Sequence, residues 1–108
     1  MIKRILLSVL LVTPLTCGAG QLITNATILE VANTNNNGPD FAIRMEGGSG
    51  VCASSTWISF PENKKQSDDS YKQAFSIALT ALTTGKKVRI HNFEDDSCSG
   101  ANFISISN

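Results

Sequence analysis

The sequence predicts a mainly β domain with one helix, an α+β fold of five strands. Two observations support this class. Short segments rich in β-branched and aromatic residues alternate with turn-forming clusters, as is typical of strands. One segment, over residues 68–84, repeats its apolar residues with the period of a helix. Residues 21–108 contain no long linker, repeat or charge block, so we predict a single domain there.

Residues 1–20 have the composition of a cleavable secretion signal. Two basic residues precede an apolar run over residues 5–12, and a small-residue stretch follows at 17–20. Cleavage is expected after Ala19 or Gly20. The apolar run is much shorter than the ~20 residues that a membrane span needs. We therefore expect the mature chain to be secreted or periplasmic, in a bacterial setting.

The charge of the predicted mature chain argues against one class of partner. The whole sequence has nine basic and nine acidic residues. Loss of Lys3 and Arg4 with the signal leaves seven basic against nine acidic residues, a net charge of −2. Nucleic-acid phosphates call for a basic surface, and no later segment is long enough to span a membrane. We therefore expect neither nucleic-acid binding nor a membrane span.

Cysteine usage agrees with export. If Cys17 leaves with the signal, Cys52 and Cys98 remain as an even pair, which we predict to form a disulfide in an oxidising compartment. In an alternative interpretation Cys17 is a lipoprotein cysteine, although Thr16 lies where that signal needs a small residue. Two distant cysteines and the lone His91 offer no ligand cluster, so we expect no metal and no other cofactor.

The order of the predicted elements indicates the architecture. The strands are predicted at residues 24–32, 41–46, 56–60, 87–93 and 103–107. A tight turn is expected at Asn37-Gly38. Residues 47–50 form a Gly/Ser loop that lacks the Lys-Ser/Thr ending of a phosphate-binding loop. The order β-β-β-α-β-β is that of a five-stranded OB-type barrel. This fold holds ligands of many kinds and does not by itself decide the function.

The predicted helix carries more apolar surface than contact with one sheet requires. Ser67 is expected to cap its start and Gly85 to follow its end. Its apolar positions cover an arc of about 200°, roughly twice what a one-sided surface helix needs. The stripe expected to pack on the barrel contains Tyr71, Phe75, Ala78, Leu79 and Leu82. The second edge, expected at an oligomer interface, contains Ala74, Ile77 and Ala81. The alternative is a helix sunk deeply in its own core.

Two stretches of the chain carry a family resemblance. Residues 83–90, after the helix, have the sequence Thr-Thr-Gly-Lys-Lys-Val-Arg-Ile. Residues 41–47 have the sequence Phe-Ala-Ile-Arg-Met-Glu-Gly before a Ser/Gly loop into Cys52. The chain resembles the OB-fold B subunits of subtilase-cytotoxin and pertussis-like toxins, or a family of small exported bacterial proteins related to them. The resemblance implies a homopentamer that binds glycans and delivers an A-type subunit.

The resemblance also implies a glycan-binding rim. The relative has a sugar-binding serine near the start of its first strand, where this chain has Thr24 and Asn25. Its sugar-contacting aromatic lies two residues past the Val-Arg-Ile motif, where this chain has Asn92. Arg89 is expected on the same rim and can pair with a sugar carboxylate. Trp57, the sole tryptophan, can stack on sugar, lie in a subunit contact or fill the domain's own core.

No arrangement of residues predicts catalysis. His91 has no Ser or Cys nucleophile candidate and no carboxylate at a suitable spacing, so we expect a structural histidine and a chain that is not an enzyme. The main hypothesis is a secreted, oligomeric, glycan-binding domain similar to a toxin B subunit. The alternative is a small periplasmic or secreted protein that binds or inhibits a protein partner.

Overall fold

The computed structural model describes residues 20–34 and 40–108. The predicted signal up to residue 19, including Cys17, and the predicted turn at Asn37-Gly38 lie outside the described residues. The described elements are, in chain order, β1 (Gln21–Thr34), β2 (Asp40–Glu46), β3 (Trp57–Phe60), a 3₁₀ turn (Glu62–Lys64), α1 (Asp68–Thr84), β4 (Lys87–His91) and β5 (Phe103–Ser107). The predicted class, mainly β with one helix, is confirmed.

The strands form one antiparallel sheet in the order β3-β2-β1-β4-β5. The long β1 pairs with β4 along its first half and with β2 along its second half, and the two ladders meet at Thr27. The register of β1 shifts at three places, and such bulges increase the bend and twist of a strand. This geometry explains why β1 extends beyond the predicted residues 24–32, since the irregular positions interrupt the alternation that marks a strand.

The strand ladders do not close the sheet into a barrel. Two backbone hydrogen bonds link β3 to the segment before β5: Ser59 N donates to Cys98 O, and Ala101 N donates to Ser59 O, both at 3.0 Å. In the described residues, strand pairing itself ends at β3 on one side and at β5 on the other. The observed architecture is therefore a five-stranded antiparallel sheet covered by one helix, and a closed barrel is not present.

The core lies between one face of the sheet and α1. Its largest fully buried side chains are Phe60, Leu22, Ile23, Ile43, Ile58, Ile90 and Val88. The rings of Phe41 and Phe60 stack with centroids 4.7 Å apart, and the Tyr71 hydroxyl donates to Phe60 O. Burial and the charge of Asp40 raise the pKa of Tyr71 to about 12. Tyr71 therefore joins the start of α1 to the sheet as a neutral phenol.

The helix packs on the sheet mainly through its alanines, which differs in part from the predicted orientation of its two apolar faces. Tyr71 and Ala78 of the predicted packing stripe do contact the core. Ala74, Ala78 and Ala81 are buried, and Ile77 packs against the core. The large residues predicted to pack on the barrel are 38–41% exposed: Phe75, Leu79 and Leu82. Small side chains allow the helix to approach the sheet closely. The edge predicted as an oligomer interface is therefore covered largely by the protomer itself.

Both ends of α1 form as predicted. The Ser67 side chain accepts a hydrogen bond from Ser70 N, and the Ser70 hydroxyl accepts one from Ser67 N, both at 3.0 Å. This reciprocal pair is a capping box with serine in place of the usual glutamate. Gly85 ends the helix with a φ of 74°, and its N–H donates to Ala81 O.

Cys52 and Cys98 form the predicted disulfide, with Cα atoms 5.9 Å apart. Cys52 is fully buried, and its N–H donates to Leu22 O at 2.9 Å. The bond joins the loop after β2 to the loop before β5. Within residues 20–34 and 40–108, no helix has the length and apolar character to cross a membrane.

Candidate functional site

A bulge in β1 brings three of the predicted site residues together. Thr24 and Asn25 lie between the β1 positions that pair with Ile90 and Val88, so they lie opposite Arg89 on β4. Asn25 is exposed and has a φ of 61°, in the left-handed region that asparagine tolerates better than most residues. The structure therefore places an exposed amide and a guanidinium on neighbouring strands.

The Gly/Ser loop holds the backbone of this bulge. Thr24 N donates to Ser49 O at 2.8 Å, and Ser49 N donates to Thr24 O at 3.0 Å. The loop approaches β1 so closely that a Cβ on Gly48 would lie 2.5 Å from Thr24 O, and one on Gly50 would lie 2.4 Å from Leu22 O. The Thr24 hydroxyl also contacts Ser49. Thr24 is thus mainly a structural residue of the bulge, whereas Asn25 presents its side chain to solvent.

The outward face of β4 and β5 carries an aromatic cluster, which we define as His91, Phe93 and Phe103. The three ring centroids are 5.3–5.7 Å apart, in tilted or edge-to-face contacts. The guanidinium carbon of Arg89 lies 5.1 Å from the centroid of Phe103, a cation–π distance. Phe93 is 58% exposed. The Phe103 ring therefore contacts both a cation, Arg89, and an accessible aromatic ring, Phe93.

Asn92 does not lie on the predicted rim. It is 2% exposed, and its Nδ2 donates to Asp95 Oδ1 at 2.7 Å and to Ser97 O at 3.1 Å. Its Oδ1 accepts hydrogen bonds from the N–H groups of Glu94 and Asp95. Side chains alternate along a strand, so Asn92 continues the inward face of Val88 and Ile90. This parity contradicts the outward placement that the resemblance implied.

Phe93 is the functional candidate that the sequence interpretation did not include. The resemblance calls for an aromatic at the position of Asn92, and the following residue supplies one. Because Asn92 turns inward and bonds the next loop, Phe93 points to the surface instead. The outward direction of Phe93 could have been predicted from the alternation of the strand. Alternation puts Arg89 and His91 outward, and Phe93 is the next position of the same parity.

Two grooves border Phe93. One, of about 420 Å³, lies between the start of α1 and the edge strand β5, where Gln73 and Asn102 add polar groups. The other, of about 290 Å³, lies beside Gly20 and includes Glu94. Small-molecule sites commonly have volumes of this order. The exposed Phe93 ring therefore lines two grooves next to which a small ligand could bind.

His91 is part of the cluster rather than a free base. Its Nε2 lies 3.1 Å from Gln21 Oε1. Burial lowers the pKa of His91, and the neighbouring Arg89 lowers it further, so the ring is neutral near pH 7. In the part of the chain that the structure describes, no three His, Cys, Asp or Glu side chains are grouped as metal ligands would be.

Trp57 lies apart from this face. It pairs with Arg44 on β2, and in the sheet order its strand is separated from β4 by β2 and β1. It is 39% exposed, which removes the interpretation that it fills the domain's own core. Contact with a subunit or with a separate ligand remains as its hypothetical role.

The apolar face of α1 that is open to solvent is formed by Phe75, Leu79 and Leu82, which we call the α1 stripe. The three positions are spaced by four and three residues, so they lie on one side of the helix. The ring of Phe75 lies 5.1 Å from that of Phe41, which fixes one end of the stripe to the core. The surface available for a second subunit is therefore this stripe, and not Ala74 or Ala81.

Comparison with known proteins gives a family but no characterised relative. A model described as a family of unknown function (DUF5992) matches residues 2–108. Neither a curated protein nor a solved structure shows a significant match.

Proposed function

The chain belongs to the DUF5992 family of unknown function, and we propose that it is an exported, non-enzymatic domain that binds glycans as an oligomer, like a toxin B subunit. The observation that carries the proposal is that the Phe103 ring contacts both the exposed Phe93 ring and the Arg89 guanidinium, with the exposed Asn25 on the neighbouring strand opposite Arg89. Carbohydrate sites combine an aromatic face, which packs on the apolar side of a sugar ring, with polar groups that bond its hydroxyls.

The chemistry of this face favours an acidic sugar. Arg89 is exposed, and its guanidinium lies over the Phe103 ring, where a ligand can reach it. A guanidinium binds a carboxylate through paired, charge-assisted hydrogen bonds. Asn25 on the adjacent strand offers a donor and an acceptor for hydroxyl groups. A terminal sugar with a carboxylate, such as a sialic acid, would satisfy both residues while packing on Phe93.

The strand order supports placing the fold among OB-type barrels. A long first strand shared between β2 and β4 is the arrangement that such a barrel requires, and β3-β2-β1-β4-β5 is its strand order when opened. The two hydrogen bonds of Ser59 lie where β3 and β5 would meet to close it. We propose a partly open barrel of this type.

The α1 stripe supports self-association. A single face exposes Phe75, Leu79 and Leu82, each at about 40%, and apolar patches of this kind often mark an interface. We propose that copies of the chain meet through these helices, with a ring of five favoured by the resemblance. Single sugar sites are usually weak, and several sites on one oligomer raise the overall affinity without any new contact.

Glycan binding is tested with a glycan array probed by the labelled, verified oligomer. Binding is expected, and Phe93→Ala should weaken it about two- to tenfold per site, in line with the energy of aromatic contacts. The matched control is Trp57→Ala, which removes another partly exposed aromatic side chain. Trp57 lies on β3, which β2 and β1 separate from β4 in the sheet, so this variant should leave binding unchanged. Asn25→Ala should also weaken binding. Equal binding by Phe93→Ala and wild type would contradict the site.

An array without any binding would contradict the glycan proposal as a whole. The alternative, a protein that binds or inhibits a protein partner, would then be favoured. Trp57 and Val51, both exposed, are the first residues to mutate for that alternative.

Self-association is tested by measuring solution mass by light scattering at micromolar concentration. Wild type is expected to be an oligomer, and Leu79→Asp is expected to be a monomer with unchanged circular dichroism, because a charge cannot be buried in the stripe without a partner. Thr80→Asp puts the same charge on an exposed neighbouring position and should keep the oligomer. A monomeric wild type would contradict the proposed interface.

A further inference from the structure

Gly20 is attached to the folded domain at both of its polar backbone atoms. Its N atom donates to Asp96 Oδ1 at 3.0 Å, and its carbonyl oxygen accepts from Asn92 N at 2.6 Å. The residue is buried. β1 begins at the next residue, and the side chains of Leu22 and Ile23 are fully buried. The ordered contacts of the domain therefore include residue 20 itself.

Packing requires glycine at this position. A Cβ on residue 20 would lie 2.8 Å from Asn92 O, a distance that real Cβ atoms essentially never show, and the neighbour is backbone that cannot rotate away. The φ of Gly20 is also positive, at 91°. Residue 20 is thus part of a fitted contact with the end of β4.

The two bonds at which a signal could be cut have different consequences for these contacts. Cleavage after Gly20 would remove the acceptor of Asn92 N–H, and an unpaired buried donor costs free energy. Cleavage after Ala19 keeps that acceptor and converts the Gly20 amide into an ammonium group beside the Asp96 carboxylate. In residues 20–34 and 40–108, no other hydrogen bond or ion pair to Asp96 is found. An ammonium would therefore meet an available anionic partner.

We propose that the Ala19–Gly20 bond is hydrolysed on export and that the new ammonium of Gly20 binds the Asp96 carboxylate. This inference rests on the proposed export, but not on glycan binding. Water supplies the hydroxyl that stays on the Ala19 carbonyl carbon, and the Gly20 nitrogen takes protons from water and solvent. The cleaving enzyme belongs to the signal peptidase class, which accepts small residues at positions such as Ala19 and Cys17.

The cleavage position is tested by expressing the full chain in a bacterial host, recovering the exported protein and determining its intact mass and N-terminal sequence. A chain that starts at Gly20 is expected. A start at Gln21, an acylated Cys17 or an uncut chain retained inside the cell would each overturn the proposal. Because the array measures glycan binding and this experiment measures the terminus, failure of one does not imply failure of the other.

The ion pair is tested on the exported product by urea unfolding at two pH values. Asp96→Asn is expected to lower the ratio of folded to unfolded protein about two- to fivefold at pH ~6, the range of exposed ion pairs. A partner carboxylate raises the pKa of an ammonium, so its stabilisation is present at low pH and lost as pH rises through the folded pKa.

The difference between wild type and Asp96→Asn should accordingly disappear near pH ~9.5, where an α-amino group is largely neutral. The matched control is Asp69→Asn, an exposed carboxylate in the first turn of α1, whose effect should not change between the two pH values. An effect of Asp96→Asn that is equal at both pH values would indicate an intact amide donor and would overturn the ammonium.

Discussion

Asn92 shows how one buried amide determines the path of a loop. Its side chain donates two hydrogen bonds to residues of the loop that follows β4 and accepts two from backbone N–H groups of the same loop. Gly100 approaches the same amide so closely that a Cβ there would lie 2.7 Å from Nδ2. These contacts end β4 at His91 rather than at the predicted Phe93, and they direct Phe93 outward.

Replacing Asn92 should therefore affect folding before it affects any ligand. We expect Asn92→Ala to lower the free energy of unfolding by about 1–3 kcal/mol, because it removes four hydrogen bonds of a buried amide to the following loop. Urea unfolding followed by circular dichroism measures the change. Asn63→Ala, at an exposed asparagine, is the matched control and should have little effect. An unchanged unfolding midpoint for Asn92→Ala would contradict the structural role.

The same residue shows what the sequence could and could not predict about the site. Alternation of side chains along β4 correctly places Arg89 outward and Asn92 inward, so this pattern alone predicts the observed orientation of both residues. The resemblance pointed to the opposite placement, because it matches positions and not side-chain directions. The placement of Asn25 opposite Arg89 on neighbouring strands agrees with the rim that the resemblance implied, whereas the contact between Thr24 and Ser49 depends on a loop conformation that no periodicity encodes.

At the scale of elements, α1 was predictable in its limits and not in its orientation. The helix covers Asp68–Thr84 as expected, because a serine cap and a glycine stop are local signals. Its apolar arc is so wide that either face satisfied the pattern. The choice depends on the packing of the helix against the sheet, which buries Ala74, Ala78 and Ala81. Tyr71 and Phe75 contact the Phe41 ring at the start of the helix, whereas Leu79 and Leu82 are left exposed.

This packing predicts a sharp difference between neighbouring positions of α1. We expect Ala78→Leu to lower the free energy of unfolding by about 1–3 kcal/mol, because added methylene groups overfill a contact without free space. Thr80→Leu adds the same side chain on the exposed surface and should change stability by less than about 0.5 kcal/mol. Thermal or urea unfolding below the concentration of self-association compares the two. A tolerated leucine at position 78 would mean that the helix packs through another face.

At the scale of the whole molecule, fold class and disulfide pairing were predictable, and closure of the sheet was not. The class follows from counting strand and helix patterns, and the pairing follows from two remaining cysteines. Closure depends on whether the segment before β5 continues as a strand alongside β3. In the described residues, the backbone hydrogen bonds between Ser59 and that segment are the two with Cys98 and Ala101, which no residue pattern in the sequence predicts.

The disulfide should provide a large part of the stability of so small a domain. Cys52 and Cys98 are 46 residues apart, and closing a loop of that size stabilises a fold by about 4 kcal/mol on the chain-entropy model. We expect the double variant Cys52→Ala, Cys98→Ala to lose about 2–5 kcal/mol in urea unfolding. Added reductant should reproduce the loss in wild type and leave the double variant unchanged. Equal stability of the oxidised and reduced proteins would contradict this expectation.

The position of the disulfide also determines how the molecule responds to mechanical force. A pull applied at the two ends of the domain passes from β1 and β2 through the Cys52–Cys98 bond directly into β5. The 46-residue separation between the cysteines includes β3, α1 and β4. Fully extended at about 3.5 Å per residue, this segment would be roughly 160 Å long. The disulfide prevents that extension as long as the bond is intact. The backbone of α1 lies inside this loop, so while the bond is intact the tension passes through β1, β2 and β5 and not along the helix itself.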